Sequence, residues 1–136
     1  MIPPPPFAVA ETEEIHYAQA VRCGDTVYVS GTVAYDKRGR MVRGGIHAQA
    51  EQVFDNLDET LRAAGCRGLE DIVQLTTGLL DIDVNLKGYL AVRKRRIPFA
   101  GYASHNNGVT GFSAPGALLV VSCTAKPNRG CSSRSD

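Results

Sequence analysis

The sequence predicts an α+β domain in which two helices cover one face of a mixed sheet, and three observations point there. Runs rich in β-branched residues flank a short turn at Cys23-Gly24-Asp25. Two stretches with helical spacing each sit between strand-like runs. A nearly continuous apolar run, Ala117 to Ala125, comes last. With 136 residues the chain has the length of one ordinary domain and is too short for two well-buried cores.

The elements follow in order. His16 to Val21 and Thr26 to Thr32 read as an antiparallel hairpin around the Gly24 turn. Lys37 to Gly45 is glycine-rich and cationic and reads as a solvated loop. Ala50, Val53, Phe54, Leu57, Leu61 and Ala64 recur at helical spacing and stop at Gly65, which predicts an amphipathic helix over 46–64. Asp71 to Asp81 reads as a buried strand, and Asn85 to Arg96 as a second helix with Leu86, Tyr89, Leu90 and Arg93 on one side. Tyr102 to Thr110 and Ala117 to Ala125 complete the sheet, the latter entered through Pro115-Gly116. The order ββ-α-β-α-ββ makes the helices a layer on one face. The other face would carry Val120, Ser122 and Thr124 or their alternates, too apolar to leave in water, so self-association is expected, with clefts between subunits. The proline-rich residues 1–14 and the polar residues 127–136 read as tails around a domain at 15–126.

Composition narrows the function. Fifteen basic residues against 14 acidic ones leave a net charge of +1, so no strong field gathers nucleic acid or anionic lipid. No apolar run approaches the ~20 residues that span a bilayer, and the N-terminus has neither a cationic nor an apolar leader region. The expectation is a soluble, cytoplasmic protein with no membrane and no nucleic-acid partner. Cys23, Cys66, Cys123 and Cys131 lie far apart with no C-x-x-C pair, so they read as thiols, and no metal site is expected.

The stretch HYAQAVRCGDTVYVSGTVAYDKRGRMV, followed by QAEQVFDNLDETLRAAG and LEDIVQLTTGLLDI, resembles the reactive intermediate deaminase (RidA) family, also called YjgF. The marks are Tyr17, Gln19, Ala20 and Gly24; Val29, Ser30 and Gly31; Gln49, Gln52, Asn56 and Leu57; Ala63 to Gly65; and Asp71 to Val73. The resemblance runs through about residues 15–126 without a large gap. The resemblance implies a homotrimer of chorismate-mutase-like subunits with small-molecule clefts at the interfaces. It also implies hydrolysis of enamines or imines, such as 2-iminopropanoate, to a keto acid and ammonia, with no cofactor. In that family an arginine ahead of the penultimate strand pairs with the substrate carboxylate, and a last-strand glutamate positions water, which suffices because an imine carbon is already electrophilic. Here the arginine position falls on Asn106, or on Ser104 in another register, and the glutamate position on Ser122. Asparagine and serine carry neither the charge nor the fork of the residues they replace.

The residues that remain define the candidate site. Tyr17 and Ser30 take cleft positions by the resemblance, with packing and backbone satisfaction as their plain alternatives. Asn106 is the expected polar contact, and His105 a near-neutral acid or base, although strand alternation turns it away from Asn106. Ser122, Ser104 and Tyr89 are expected to bind substrate, and Arg93, one helical turn beyond Tyr89, can reach the cleft in place of the missing arginine. The cluster Arg93 to Arg96 otherwise reads as a solvated helix end, and Cys123 as a small core residue. The first reading is a trimeric enzyme acting on an imine, enamine or related unsaturated intermediate that lacks the usual carboxylate anchor, by hydrolysis, isomerisation or cyclisation. A non-catalytic ligand-binding or regulatory trimer is the alternative, and near-neutral charge disfavours a nuclease.

Overall fold

Gly24 takes φ 61°, a left-handed backbone that costs glycine nothing, and turns the chain between β1 (Ala20–Cys23) and β2 (Thr26–Thr32). The strands pair antiparallel with Cys23 opposite Thr26. The computed structural model describes residues 17–129; the tail at 1–14, His16, Cys131 and the rest of 130–136 lie outside them. Pro127–Arg129 forms a short 3₁₀ turn. The first strand begins at Ala20, later than the β-rich run suggested, because β2 bulges there. Val29 opposes Cys123 and Thr32 opposes Val121, so Ser30 and Gly31 share one partner position on the neighbouring strand.

Helix α1 (Gly45–Ala63) buries Ala50, Val53, Phe54, Leu57 and Leu61, and the chain leaves it through Gly65 at φ 94°. Two amides on its buried side pin the loops around it. Gln49 Nε2 donates to the Val42 and Gly116 carbonyls, while its Oε1 accepts from Leu118 N–H at 2.8 Å. Asn56 Nδ2 donates to the carbonyls of Val33 and Tyr35. Strand β3 (Ile72–Leu80), helix α2 (Ile82–Arg96) and strand β4 (Ala103–Val109) form a parallel crossover, and β5 (Leu119–Ala125) completes the sheet. α2 starts three residues ahead of the expected Asn85, whose side chain reaches back to the Leu80 carbonyl at 2.7 Å.

The strand order is β1-β2-β5-β3-β4, antiparallel except for β3 with β4. Val27, Val29, Leu75, Leu79, Leu119, Val121, Cys123 and Ala125 form the buried row, in one cluster with the apolar side of α1 and with Tyr89 and Val92 of α2. Burial pushes the Cys123 thiol up to about 12, which fits a small core residue. The alternates Val120, Ser122 and Thr124 are only half-buried, on the sheet face away from the helices. The basic end of α2 corrects the expectation of a solvated turn. Arg96 pairs with Glu51 at 2.7 Å and Asp55 at 2.8 Å, and Arg95 also pairs with Glu51, so the end of α2 is tied to α1.

Candidate functional site

Tyr89 and Arg93 are one turn apart on α2, so both side chains project from the same side of the helix toward β4. The parallel register sets Ser104 beside Leu75 and Asn106 beside Thr77. Leu75 and Thr77 are fully buried on the helix side, so Ser104 and Asn106 face α2 as well. Arg93 Nη1 donates to Ser104 Oγ at 2.9 Å and to Asn106 Oδ1 at 3.2 Å. The guanidinium carbon lies 5.5 Å from the Tyr89 ring centroid and 5.9 Å from that of Tyr102, so two aromatic faces flank the charge. Beneath it the Tyr89 hydroxyl shares a 2.5 Å hydrogen bond with Thr77 Oγ1. Burial pushes the Tyr89 phenol up, against the opposing pull of the Thr77 bond and the Arg93 charge, so it stays protonated at neutral pH.

Arg93, Tyr89, Ser104 and Asn106 are thus gathered as one cluster. Arg93 and Ser104 of this cluster line a cleft of about 470 Å³ between the end of α2 and the start of β4, with Leu90, Ile97, Phe99 and Tyr102 among the other walls. Tyr89 is fully buried beneath it and so packs in the core instead of making the expected substrate contact. Two larger depressions, of about 690 and 1050 Å³, lie against α1 and the loops beside it and hold none of the expected site residues.

The other four expected residues lie elsewhere in the subunit. His105 and Ser122 both flank Thr76, from β4 and β5 respectively, which puts them on the open face of the sheet, away from Arg93. Ser30 sits at the β2 bulge, its Oγ donating to the Ala18 carbonyl at 2.7 Å, and Tyr17 is exposed ahead of β1. β5 and β3 separate that end of the sheet from β4.

Tyr102 and Thr77 belong to the cluster and were not among the expected site residues. Tyr102 carried a usable signal, since 102, 104 and 106 alternate onto one face of an extended chain. Thr77 carried none, because its place depends on the pairing of β3 with β4. Among the described residues no group of three or more His, Cys, Asp or Glu side chains is disposed to hold a metal ion, and no helix is long and apolar enough to cross a membrane.

The family model described as endoribonuclease L-PSP matches residues 9–110. The chain belongs to this family. It is the RidA/YjgF family of the sequence reading: the match to the 2-iminobutanoate/2-iminopropanoate deaminase of Mus musculus is 41% identical over 68 residues, 49% of this chain and 50% of that protein. The human deaminase is 40% identical over 68 residues, 49% of each chain. A RutC family protein of Sulfurisphaera tokodaii is 39% identical over 69 residues, 50% of this chain and 54% of that one. The chain therefore spans about half the length of the curated relatives it matches.

The L-PSP family fold extends further than these alignments. The crystal structure of yeast Mmf1 superposes with a TM-score of 0.79 at 26% identity, covering 93% of both chains. That of Rv2704 from Mycobacterium tuberculosis, a YjgF-family protein, gives 0.80 at 22% identity over 93% of this chain and 98% of that one. Within this fold the two positions that the resemblance offers for the family arginine, Ser104 and Asn106, are the two that accept hydrogen bonds from Arg93.

Proposed function

We propose that this chain hydrolyses 2-imino acids or their enamine tautomers to the 2-keto acid and ammonia, without a cofactor, in clefts between the subunits of a homotrimer. The observation that carries the reading is the Arg93 guanidinium, held against β4 by Ser104 and Asn106. Both partners are neutral, so the positive charge is positioned without being cancelled, and a guanidinium has five donors, which leaves a fork for a carboxylate. This changes the sequence expectation of a substrate without a carboxylate: the arginine missing from the strand is supplied by the helix. Anchoring the carboxylate brings the electrophilic imine carbon over the polar groups of β4, where Ser104 and Asn106 can orient water. In this reading a neighbouring subunit contributes Tyr17, Ser30, His105 and Ser122 from its own sheet. The near-neutral composition supports leaving nucleic acid and membranes out of the partners, and the protein is read as cytoplasmic.

The test is ammonia release from 2-iminopropanoate, 2-iminobutanoate and 2-imino-3-phenylpropanoate generated in situ. The protein should accelerate release over buffer, and Arg93→Met should lower kcat/KM by about 10- to 100-fold, the loss expected for a charged hydrogen bond. No acceleration by the unmodified protein overturns the enzyme reading. The second reading, a non-catalytic binding trimer, is favoured by Ser122, which gives β5 no carboxylate to activate water. It predicts carboxylate binding that depends on Arg93 and no turnover.

A further inference from the structure

We infer that the site selects 2-imino acids with a large apolar or aromatic side chain over the smallest ones. The inference rests on Arg93 as the carboxylate anchor and extends it to the part of the substrate that does not react. Beside the guanidinium, the cleft of about 470 Å³ is walled by Leu90, Ile97, Phe99 and Tyr102. A three- or four-carbon imino acid held by its carboxylate would leave most of that space and most of that apolar surface in water.

The wall is built rather than incidental. Phe99 and Tyr102 meet edge to face with ring centroids 5.7 Å apart. The Tyr102 ring lies 5.9 Å from the Arg93 guanidinium, and Phe99 is backed by the Arg129 guanidinium at 5.2 Å. Arg129 Nη2 also donates to the Gly101 carbonyl, which ties down the segment between the two rings. Ile97 is almost fully buried at the end of α2, whereas Phe99 and Tyr102 are half-buried, so both rings keep surface that a ligand can cover. The ion pairs of the described residues engage Arg62, Arg67, Arg95, Arg96 and Lys126, whereas Arg93 bonds neutral oxygens, and Lys94 adds a second cation to the cleft lining. A cationic end and an aromatic wall, both held in place before binding, suit an amphipathic anion with its carboxylate on Arg93 and its side chain along Phe99 and Tyr102.

Calorimetric binding of phenylpyruvate and pyruvate to the 136-residue chain tests selection without requiring turnover. Phenylpyruvate should bind about 10- to 100-fold more tightly, the ratio expected when a phenyl group leaves water. Phe99→Ala and Leu90→Trp, one removing the wall and the other filling the cleft, should each reduce that ratio to within about threefold of unity. The ratio is taken within each variant, so a modest loss of stability does not imitate the result. Equal binding of the two acids, or a preference that both variants retain, overturns the inference and leaves Arg93 as anchor. If neither acid binds, the anchor reading fails, and the selectivity inference with it. Turnover of 2-imino-3-phenylpropanoate against 2-iminopropanoate then reports separately on catalysis.

Discussion

Two charged side chains with opposite arrangements show what single residues do here. Arg93 keeps its charge available because its hydrogen-bond partners are a hydroxyl and an amide. Asp71 is the reverse, a fully buried carboxylate ahead of β3 that spends its charge on the fold. Its Oδ2 accepts from the Arg67 N–H at 2.7 Å, and its Oδ1 from Arg67 Nε at 2.8 Å and Nη2 at 2.6 Å. Burial alone would raise its pKa, but the side-chain and backbone hydrogen bonds from Arg67 outweigh it and hold the carboxyl below its ordinary value. A depressed folded-state pKa stabilises the protein above the unfolded value, near 4, and that contribution disappears as pH falls through the folded value. Thermal melts should show Asp71→Ala costing about 3 kcal/mol at pH 7, the low end for breaking a buried pair, since Arg67 keeps half its surface in water. The difference between variant and parent should narrow steadily as the pH is lowered toward 3, and an unchanged difference would refute the assignment. In the sequence Asp71 was visible as a family mark and as the start of a strand that the structure begins at Ile72; its Arg67 partner was not visible.

At the scale of elements, the contact between the helices determines how far α2 can lean toward β4. Gly88 sits where α2 meets the start of α1. A Cβ there would fall 2.7 Å from Ile46 Cγ2 and 3.0 Å from His47 Cε1. At the C-terminal end of α2, Arg95 and Arg96 are tied to Glu51 and Asp55 of α1. Between these two attachments lie Tyr89 and Arg93, so the helix is held along the stretch that carries the site. Gly88→Val should cost about 1–3 kcal/mol by overpacking, measured by urea unfolding. It should also weaken keto-acid binding, because moving α2 away from α1 displaces Arg93 relative to Ser104 and Asn106. A variant as stable as the parent with unchanged binding would show that the helix contact does not position the site. The helices themselves were legible, since their apolar spacing is local. Their mutual contact was not, because Gly88 reads in isolation only as a weak point in a helix.

For the whole molecule, the open face of the sheet is the feature that calls for a partner. Val120, Ser122 and Thr124 of β5 lie on it with Gln74 and Thr76 of β3, and Tyr28 stands 51% exposed on β2. Expected is a mass of three chains by light scattering at micromolar concentration, and its reduction toward one chain in Val120→Glu, which puts a charge in the middle of that face. A single-chain mass for the unmodified protein would remove the intersubunit cleft, and with it the role proposed for Tyr17, Ser30, His105 and Ser122. Arg93 and its aromatic neighbours would stand, since one chain assembles them.

The sequence by itself determined the class of fold, because apolar periodicity, a glycine at the hairpin turn and a glycine after the first helix are local signals. It also determined the family, through spaced marks such as Gln49 and Asn56, whose amides satisfy particular loop carbonyls in this fold. Tertiary structure alone decided that α2 lies against β4 in a register that brings Arg93 to Ser104 and Asn106 and sends His105 and Ser122 to the other face. The physical reason is that a strand's two faces alternate with every residue. Which of Asn106 and His105 meets the helix therefore depends on one step of register against β3, a pairing between residues distant in sequence that no local pattern encodes.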